Sequence, residues 1–352
     1  MKKRRKITMK DISDKLGISI NAVSLALNNK YGVSEETRND VLRMADELGY
    51  FSDTQPKSVQ VNNENICLLL NNRYLRNPSF YSKVVFGIEE EAKQGPEPLD
   101  LIVNFFNDDQ LQIPSCIEQN KVVGILIVGK IKDAFLEELS AFGIPIVLVD
   151  HFSHTHAMDA ILTQNAAGAY LATQHVINRG HYAIGYVGDI DFSLSFKERW
   201  FGFYTCAREM GICDDLHLSH LFKYSITKNI AHAVMDKDYQ FLANTIKRLE
   251  EFPTAWVCCN DETAAAMYHA LELLGIKVPE QVSLVGFDDT EIYNILEMGL
   301  TTIHVMKETM GKTALQTLIE RIKKPTNVSK TISLPVTLAE RGSVRNMNTS
   351  QE

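Results

Sequence analysis

The chain has no long hydrophobic run. Its longest apolar stretch, residues 122–128, is far shorter than the about 20 apolar residues that a membrane-spanning helix needs. No apolar segment follows the basic residues 2–6, so we expect no signal peptide. Both absences predict a cytoplasmic protein without a membrane partner.

Cysteine is scarce and shows no metal-site or disulfide pattern. The six cysteines are Cys67, Cys116, Cys206, Cys213, Cys258 and Cys259. We interpret them as buried thiols in a reducing cytoplasm. His151, His154 and His156 follow a predicted strand in a polar loop and are expected to be exposed. Because no further ligand cluster accompanies them, no metal is expected.

Signatures of catalysis and of phosphate binding are also missing. The sequence has no G-x-S-x-G elbow, and no paired acid and base demands catalysis. Gly311-Lys312-Thr313 resembles the end of a P-loop, but Met306 stands where the first glycine of that loop must be. We therefore expect a binding protein rather than an enzyme, with no catalytic residues and no cofactor.

Length and charge divide the chain. At 352 residues it predicts one small domain followed by a larger one of two lobes. The net charge is −8, yet residues 1–60 contain 11 Lys and Arg against 8 Asp and Glu, and the remainder contains 25 against 36. The basic excess lies in the N-terminal part. Its leading run, residues 2–6, either contacts phosphates or is a solvated tail.

Residues 8–50 are predicted to form three short helices joined by tight turns. Thr8 caps the first helix, with Asp11 returning the bond in a capping box. Ser19 caps the second helix and Ser34 the third. The residues predicted to point inward are Met9, Ile12, Leu16, Val23, Ala26, Leu27, Val41, Leu42, Ala45 and Leu48. Two helices around a glycine turn, braced by a third, make a helix-turn-helix unit.

The second of these helices leaves Ile20, Asn21, Ser24 and Leu25 exposed near its N-terminal end. That end of a helix-turn-helix enters the DNA major groove. An Asn can bond adenine there, and Ile or Leu can cover a thymine methyl, so contacts that favour A·T pairs are predicted. A helical bundle with a merely solvated face is the alternative, but exposed Ile and Leu are unusual on such a face.

Beyond a polar linker, residues 51–62, apolar runs alternate with helical patterns. Strands are predicted at residues 66–70, 101–103, 122–128, 146–149, 184–187, 256–259, 282–287 and 301–303. Helices are predicted at about residues 80–92, 134–141, 166–179, 197–210, 239–250, 262–274 and 307–323. Because the apolar runs are continuous rather than alternating, we predict parallel strands covered on both faces in a doubly wound α/β region.

Many residues of the N-terminal part follow one known pattern. They are Thr8, Asp11, Ile12, Gly17, Ser19, Val23, Ser24, Leu27, Asn28, Val33, Ser34, Thr37, Arg38, Val41, Leu42, Ala45, Leu48, Gly49 and Tyr50. Downstream, the matching motifs are R-x-x-G at Arg199 and Gly202, N-D-E at 260–262, VPEQVS at 278–283, VGFDD at 285–289 and LTTI at 300–303. With these motifs the chain resembles the LacI/GalR family of bacterial transcriptional regulators.

The resemblance implies a type I periplasmic-binding-protein fold, in which two doubly wound lobes enclose a ligand cleft. The implied domains are a helix-turn-helix at 1–50, a hinge or linker at 51–62, an effector-binding and dimerisation domain at 63–342, and a tail at 343–352. The first lobe would comprise about residues 63–162 and 291–325. The second would comprise about residues 163–290 and 326–342.

The resemblance also implies where ligands bind. The predicted effector-binding residues are Phe80, Tyr81, Asp150, Arg199, Asn260 and Asp288. A guanidinium, an amide and a carboxylate at strand ends can bracket vicinal hydroxyls, and aromatic faces can stack on a sugar ring. Two alternatives remain, because Arg199 could instead pair with a neighbouring acid and Asp288 could cap the next helix.

For DNA, the predicted contact residues are Thr8, Ser19, Ile20, Asn21, Ser24, Leu25, Asn28 and Val59. The family often carries Arg at the position of Leu25 and wedges a hinge-helix leucine into the minor groove. Here Pro56 and Val59 occupy the hinge segment, and proline is poor inside a helix. Val59 is either a small wedge or part of a flexible tether.

These features predict a repressor of carbohydrate-utilisation genes, controlled by a sugar or sugar phosphate in the cleft. One reading helix per half-site implies a homodimer on a near-palindromic double-stranded DNA operator. The segment after Arg341 has no leucine heptads, so no coiled-coil tetramer is expected. Two alternatives stay open: a catabolite-control regulator whose main co-effector is a phosphocarrier protein, and a purine-responsive repressor.

Overall fold

The computed structural model describes residues 8–27, 33–48, 50, 65–72, 78–95, 98–107, 110–213, 219–291, 298–326 and 328–348. The chain divides into two compact units, Met1–Asn63 and Glu64–Glu352. The helices of the first unit are α1 (Met9–Leu16), α2 (Ile20–Leu27) and α3 (Glu35–Glu47).

Side-chain caps start the three helices of the first unit. The Thr8 side chain accepts a hydrogen bond from the backbone N–H of Asp11, whose Oδ2 accepts one from the Thr8 N–H at 2.7 Å. The hydroxyl of Ser19 accepts from the N–H of Ala22 at 3.1 Å. The hydroxyl of Ser34 likewise accepts from the N–H of Thr37 at 3.1 Å. These bonds confirm the predicted helix starts, since each cap satisfies an N–H that the helix cannot.

A small apolar core holds these helices together. Its fully buried members are Ile12, Val23, Ala26, Val41 and Ala45. The prediction that Leu42 is buried was wrong, because this side chain is 39% exposed. Leu42 follows the buried Val41, and one step along a helix turns the side chain about 100° away from the core.

The second unit contains eleven strands and ten helices among its described residues. The strands are β1 (Asn65–Asn71), β2 (Asp100–Phe106), β3 (Gly124–Val128), β4 (Ile146–Val149), β5 (Asp159–Thr163), β6 (Ile184–Val187), β7 (Ala255–Cys258), β8 (Ser283–Val285), β9 (Thr302–Val305), β10 (Thr331–Leu334) and β11 (Val336–Ala339). The helices are α4 (Pro78–Gln94), α5 (Ser115–Glu118), α6 (Asp133–Ser140), α7 (Asn165–Asn178), α8 (Leu194–Glu209), α9 (Ser219–Tyr224), α10 (Ile230–Met235), α11 (Tyr239–Ile246), α12 (Asp261–Leu273) and α13 (Lys307–Lys323). Across the described ranges, no helix combines the length and apolar character needed to cross a bilayer.

Two parallel sheets organise this unit. One has six strands in the order β10-β5-β4-β3-β1-β2, and the other has three in the order β6-β7-β8. We call each sheet with its helices the first and the second lobe, respectively. β9 and β11 form a separate antiparallel pair. Every residue of β3, β4, β6 and β7 is buried, as expected for parallel strands covered on both faces. The predicted doubly wound α/β fold is confirmed.

Strand β10 lies at an edge of the six-stranded sheet, where Thr331–Leu334 pairs with β5. The predicted boundaries placed residues 326–342 in the second lobe, and they were wrong for this strand. Asp159 at the start of β5 explains the pairing, because its carboxylate accepts bonds from Arg321 Nε at 2.8 Å and from the Lys330 N–H at 2.7 Å. The other lobe boundaries stay a prediction.

Residues 343–348 lie against the second lobe and do not form a free tail. The Ser343 hydroxyl donates to the Leu284 carbonyl at 2.6 Å and accepts from the Thr301 N–H at 2.8 Å. Val344 is 7% exposed. The predicted tail was therefore wrong over these residues, and its last four lie outside the described part.

Two glycines let helices approach closely. A Cβ at Gly202 in α8 would overlap the carbonyl oxygen of Ala166 in α7, and one at Gly311 in α13 would overlap that of Val84 in α4. Only glycine fits such backbone contacts. Gly202 lies one helical turn after Arg199, so this contact fixes the height of that guanidinium over the second sheet.

Candidate effector cleft and DNA-facing helix

Arg199 is the most constrained cation of the cleft. It is 4% exposed, and its Nε donates to Oδ1 of Asn165 at 3.0 Å while Nη1 donates to the Cys259 carbonyl at 2.6 Å. Nη2 lies 3.1 Å from Oδ1 of Asp288. The ring of Phe287 lies beneath the guanidinium, 3.8 Å from Cζ to the ring centroid. Two nitrogens therefore donate hydrogen bonds, the third is ion-paired with Asp288, and one face of the guanidinium is covered by Phe287.

Asp288 is the acidic partner of Arg199 and is itself buried. It lies three residues beyond β8 with φ at 109°, a backbone conformation that L residues rarely adopt. Burial raises the pKa of its carboxyl, and the charges of Arg199 and Lys307 oppose that rise. Despite the nearby guanidinium, Oδ1 receives no well-aligned hydrogen bond from the described residues. This oxygen is ready to accept one from a ligand.

The first lobe contributes Asp150 and Tyr81. Asp150 follows β4 with φ at 55°, and its Oδ2 accepts a hydrogen bond from the Tyr81 hydroxyl at 2.8 Å. Burial raises the pKa of Asp150 to about 6, while the charge of Arg199 opposes the rise. Asp150 also interacts electrostatically with Asp288. Four predicted residues from both lobes, Tyr81, Asp150, Arg199 and Asp288, thus come together. Asp150 and Asp288 follow the C-terminal ends of β4 and β8, whereas Tyr81 and Arg199 lie on α4 and α8.

Asn260 and Phe80 have structural roles that sequence reasoning did not foresee. Asn260 caps α12, and its Oδ1 accepts from the Thr263 N–H at 2.9 Å. Only its amide nitrogen is left to donate to a ligand hydroxyl. Phe80 is 8% exposed within the apolar core and contacts the Tyr81 ring edge-on, with the centroids 4.9 Å apart. Both residues stay predictions as ligand contacts.

Three residues of the site were missed. Asn165 holds Arg199 and donates to Oε2 of Glu198 at 2.9 Å. Lys307 in α13 donates to the backbone carbonyls of Asp288, Asp289 and Val305. Glu262 follows Asp261 in the first turn of α12, and burial, together with the charges of Asp288 and Asp261, raises its pKa to about 8. Only Glu262 had a sequence signal, because it belongs to the N-D-E motif.

The buried carboxyls make the stability of the second unit depend on pH. Folding raises the pKa of Asp150 to about 6, of Asp261 to about 7 and of Glu262 to about 8. Between roughly pH 4 and 8 the folded chain therefore binds more protons than the unfolded chain, and these groups lower the free energy of unfolding as the pH rises. We expect the thermal midpoint of Glu262→Gln to fall less than that of the wild type from about pH 5 to about pH 8 in scanning calorimetry.

Glu280→Gln is the control for this measurement, because Glu280 is exposed on the surface of the same lobe. It should keep the wild-type slope of midpoint against pH. An unchanged slope in Glu262→Gln would contradict the assignment of Glu262 to the buried acidic group.

The exposed face of α2 carries the predicted DNA contacts. Ile20 is 49% exposed as predicted, but the prediction of full exposure was wrong for Ser24 and Leu25, which are half-buried beside the buried Val23 and Ala26. Thr8 and Ser19 are exposed helix caps, with their hydroxyls at the starts of α1 and α2. The Asn21 side chain and the residues Asn28, Pro56 and Val59 lie outside the described part. The roles of all these residues in DNA binding stay predictions.

The cysteines match the sequence interpretation, but two of the three histidines of the loop after β4 do not. All six cysteines are free and buried, as predicted. His154 is exposed as predicted, but His151 is half-buried, and its Nε2 has no hydrogen-bond partner among the described residues. The prediction of exposure was therefore wrong for His151, whose Nε2 is turned away from solvent, and for His156, whose side chain is 19% exposed and lies 2.9 Å from the Thr155 hydroxyl through Nδ1.

Comparisons with known proteins agree with this architecture. Residues 8–53 match the family described as bacterial regulatory proteins, lacI family, and residues 173–344 match the periplasmic binding protein-like domain. An HTH-type transcriptional repressor PurR of Aliivibrio salmonicida is 30% identical over 321 residues, which cover 90% of this chain and 92% of the relative. The ribose operon repressor of Haemophilus influenzae is 29% identical, covering 96% and 98%.

Solved structures show the same likeness. A LacI family transcriptional regulator from Enterococcus faecalis V583, with bound ribose, has a TM-score of 0.64 and 25% identity, covering 81% of this chain and 100% of that chain. Three observations point to the same family: the capped helix-turn-helix, the two parallel sheets and the relative at 30% identity. The chain belongs to the lacI family of bacterial regulatory proteins, and it is a DNA-binding transcriptional repressor.

Proposed function

We propose that a small hydroxylated ligand, bound between the two lobes, sets the affinity of this repressor for its operator. The convergence of Tyr81 and Asp150 with Arg199 and Asp288 carries the proposal. These side chains come from both lobes, and the 2.8 Å and 3.1 Å contacts within the group preorganise it. A ligand touching both halves would favour lobe closure and so shift the equilibrium between two states.

A sugar suits these groups best. Asp288 and Asp150 can accept hydrogen bonds from vicinal hydroxyls, Asn260 can donate one, and Tyr81 can cover a ring face. The ribose in the E. faecalis regulator and the name of the H. influenzae relative support this choice. Carbohydrate-utilisation genes are then the expected targets. A purine-responsive repressor and a phosphocarrier-controlled regulator are the alternatives.

A homodimer in the cytoplasm is the expected state. Strand β2 is an edge strand of the six-stranded sheet and carries Val103 and Phe105, which are 43% and 49% exposed. Phe86 on α4 is 48% exposed. Apolar side chains on a sheet edge and a helix are costly in water and suit a second copy of the chain, which a two-fold operator also requires.

Gel retardation tests the proposal directly. The purified full chain should retard fragments of its own genome at low salt, and one sugar in a screened panel should change the operator Kd by about 5- to 150-fold. Asp288→Asn should retain DNA binding and lose most of the response to that sugar. The control Lys197→Ala, an exposed change on α8, should behave as wild type.

Two outcomes would contradict the proposal. One is that no genomic fragment is retarded, with or without candidate sugars and nucleobases. The other is a response that Asp288→Asn preserves in full, which would place the effector elsewhere. A response to a nucleobase or to a phosphocarrier protein, with none to sugars, would favour the corresponding alternative.

A further inference from the structure

We propose that Lys307 is a positioning residue, which transmits the state of the effector site to helix α4 of the first lobe. This inference rests on the proposed cleft effector and adds a route by which its binding reaches the face assigned above to a second copy of the chain. The route runs from the backbone of Asp288 through Lys307 and α13 to α4.

Lys307 is buried at a place that is unfavourable for a cation. It is 8% exposed and is the first residue of α13, where the positive end of the helix dipole repels an ammonium group. Burying a charge also has a large desolvation cost unless hydrogen bonds replace the lost water. Because its position does not stabilise the helix, the ammonium is explained by the contacts that it makes outside α13.

Those contacts are mainly with the loop that follows β8 in the second lobe. The Lys307 Nζ donates to the carbonyl of Asp288, to that of Asp289 at 3.1 Å and to that of Val305 at 3.4 Å. Three carbonyls match the three donors of an ammonium. Asp288 and Asp289 have φ at 109° and 52°, a conformation that persists only where surrounding contacts hold it. A ligand that moves the Asp288 side chain therefore moves a backbone that is bonded to Lys307.

Helix α13 belongs to the first lobe, where it packs on β3, β4, β5 and α4. A Cβ at Gly87 in α4 would overlap the carbonyl oxygen of Glu308, the second residue of α13. About one turn further along α13, Gly311 makes the equivalent contact with Val84. Backbones packed this closely transmit strain, so a displacement at the start of α13 reaches α4. Phe86, 48% exposed on α4, lies on the proposed contact with a second copy.

Lys307→Met tests this inference in the purified full chain, because methionine fills a similar volume without N–H donors. The probe is the compound, from a panel of pentoses, hexoses and nucleobases, that most changes the wild-type operator Kd. That change should be about 5- to 150-fold in the wild type. In Lys307→Met we expect it to fall below about twofold, while the Kd of the compound itself changes by less than about threefold.

Lys323→Met is the matched control, since Lys323 is an exposed lysine in the last turn of the same helix. It should keep the wild-type response. A full response in Lys307→Met would overturn the inference and leave the proposed cleft effector standing. So would a loss of response matched by an equal loss of compound affinity, because Lys307 would then only shape the binding site. A wild-type chain that responds to no compound would overturn both proposals.

Hydrogen exchange of the wild type is a second measurement, which needs no variant. Adding the same compound should change amide protection at residues 84–88 of α4 and 307–311 of α13, as well as at residues 286–289. Helix α6 should not change, because it lies on the opposite face of the six-stranded sheet. Changes confined to residues 286–289, with none in α4 or α13, would overturn the inference even if Lys307→Met fails to fold.

Discussion

Replacing Arg199 by alanine should lower the free energy of unfolding of the second unit by about 3–5 kcal/mol. The substitution leaves the buried carboxylate of Asp288 without its ion-pair partner and removes the donors to Asn165 and the Cys259 carbonyl. Without the positive charge of Arg199, the repulsion between the Asp150 and Asp288 carboxylates would no longer be compensated. Urea unfolding followed by circular dichroism measures the change.

Two further variants separate this mechanism from a general defect of α8. Lys197→Ala, exposed on the same helix, should change stability by less than about 0.5 kcal/mol. Adding Asp288→Asn to Arg199→Ala should recover part of the loss, because the orphaned charge disappears. Strictly additive losses in the double variant would show that Arg199 acts by packing on Phe287 and not by pairing with Asp288.

Replacing Asn21 by alanine should weaken binding to the cognate operator by about 1–3 kcal/mol, or roughly 5- to 150-fold in Kd, and relax the preference at one base pair. The reason is the loss of a side chain that can bond an adenine edge from the reading end of α2. Competition binding against operators that vary one base pair at a time measures both effects.

Asn39→Ala is the matched control, because Asn39 is exposed on α3 and not on the reading helix. It should leave every operator Kd close to the wild-type value. Equal weakening of Asn21→Ala on all operators, with no change in base preference, would make Asn21 a backbone anchor and would remove it from base reading.

The strands found from sequence are those whose apolar residues run without interruption. Ile66–Leu70 and Ile146–Val149 are buried throughout and give a strong local signal. Strand β10 has only Leu334 buried, and no residue of β11 is fully buried, so neither shows the apolar pattern of a core strand. Helices α9 and α10 have six residues each, too few for helical periodicity to stand out.

The site was predictable where a motif marked it and hidden where distant residues meet. Arg199 and Asp288 were placed by family motifs, and Asp150 by its position after a strand. Nothing local links Lys307 to the carbonyls of Asp288 and Asp289, or Asn165 to Arg199. Such bonds join residues that are distant in the sequence and meet only in the folded chain. No local sequence pattern therefore predicts them.

Strand β10 is synthesised long after its partner β5, so the six-stranded sheet cannot be completed until nearly the whole chain has been made. Thr331 pairs with Ala160, about 170 residues earlier, so roughly 10–30 s of synthesis at typical rates separate the two strands. During that interval the edge of β5 is unpaired. The Asp159 carboxylate also lacks its hydrogen-bond donors, Arg321 Nε and the Lys330 N–H. Nascent chains that end before residue 331 therefore have an incomplete six-stranded sheet, whose unpaired β5 edge can pair with another chain.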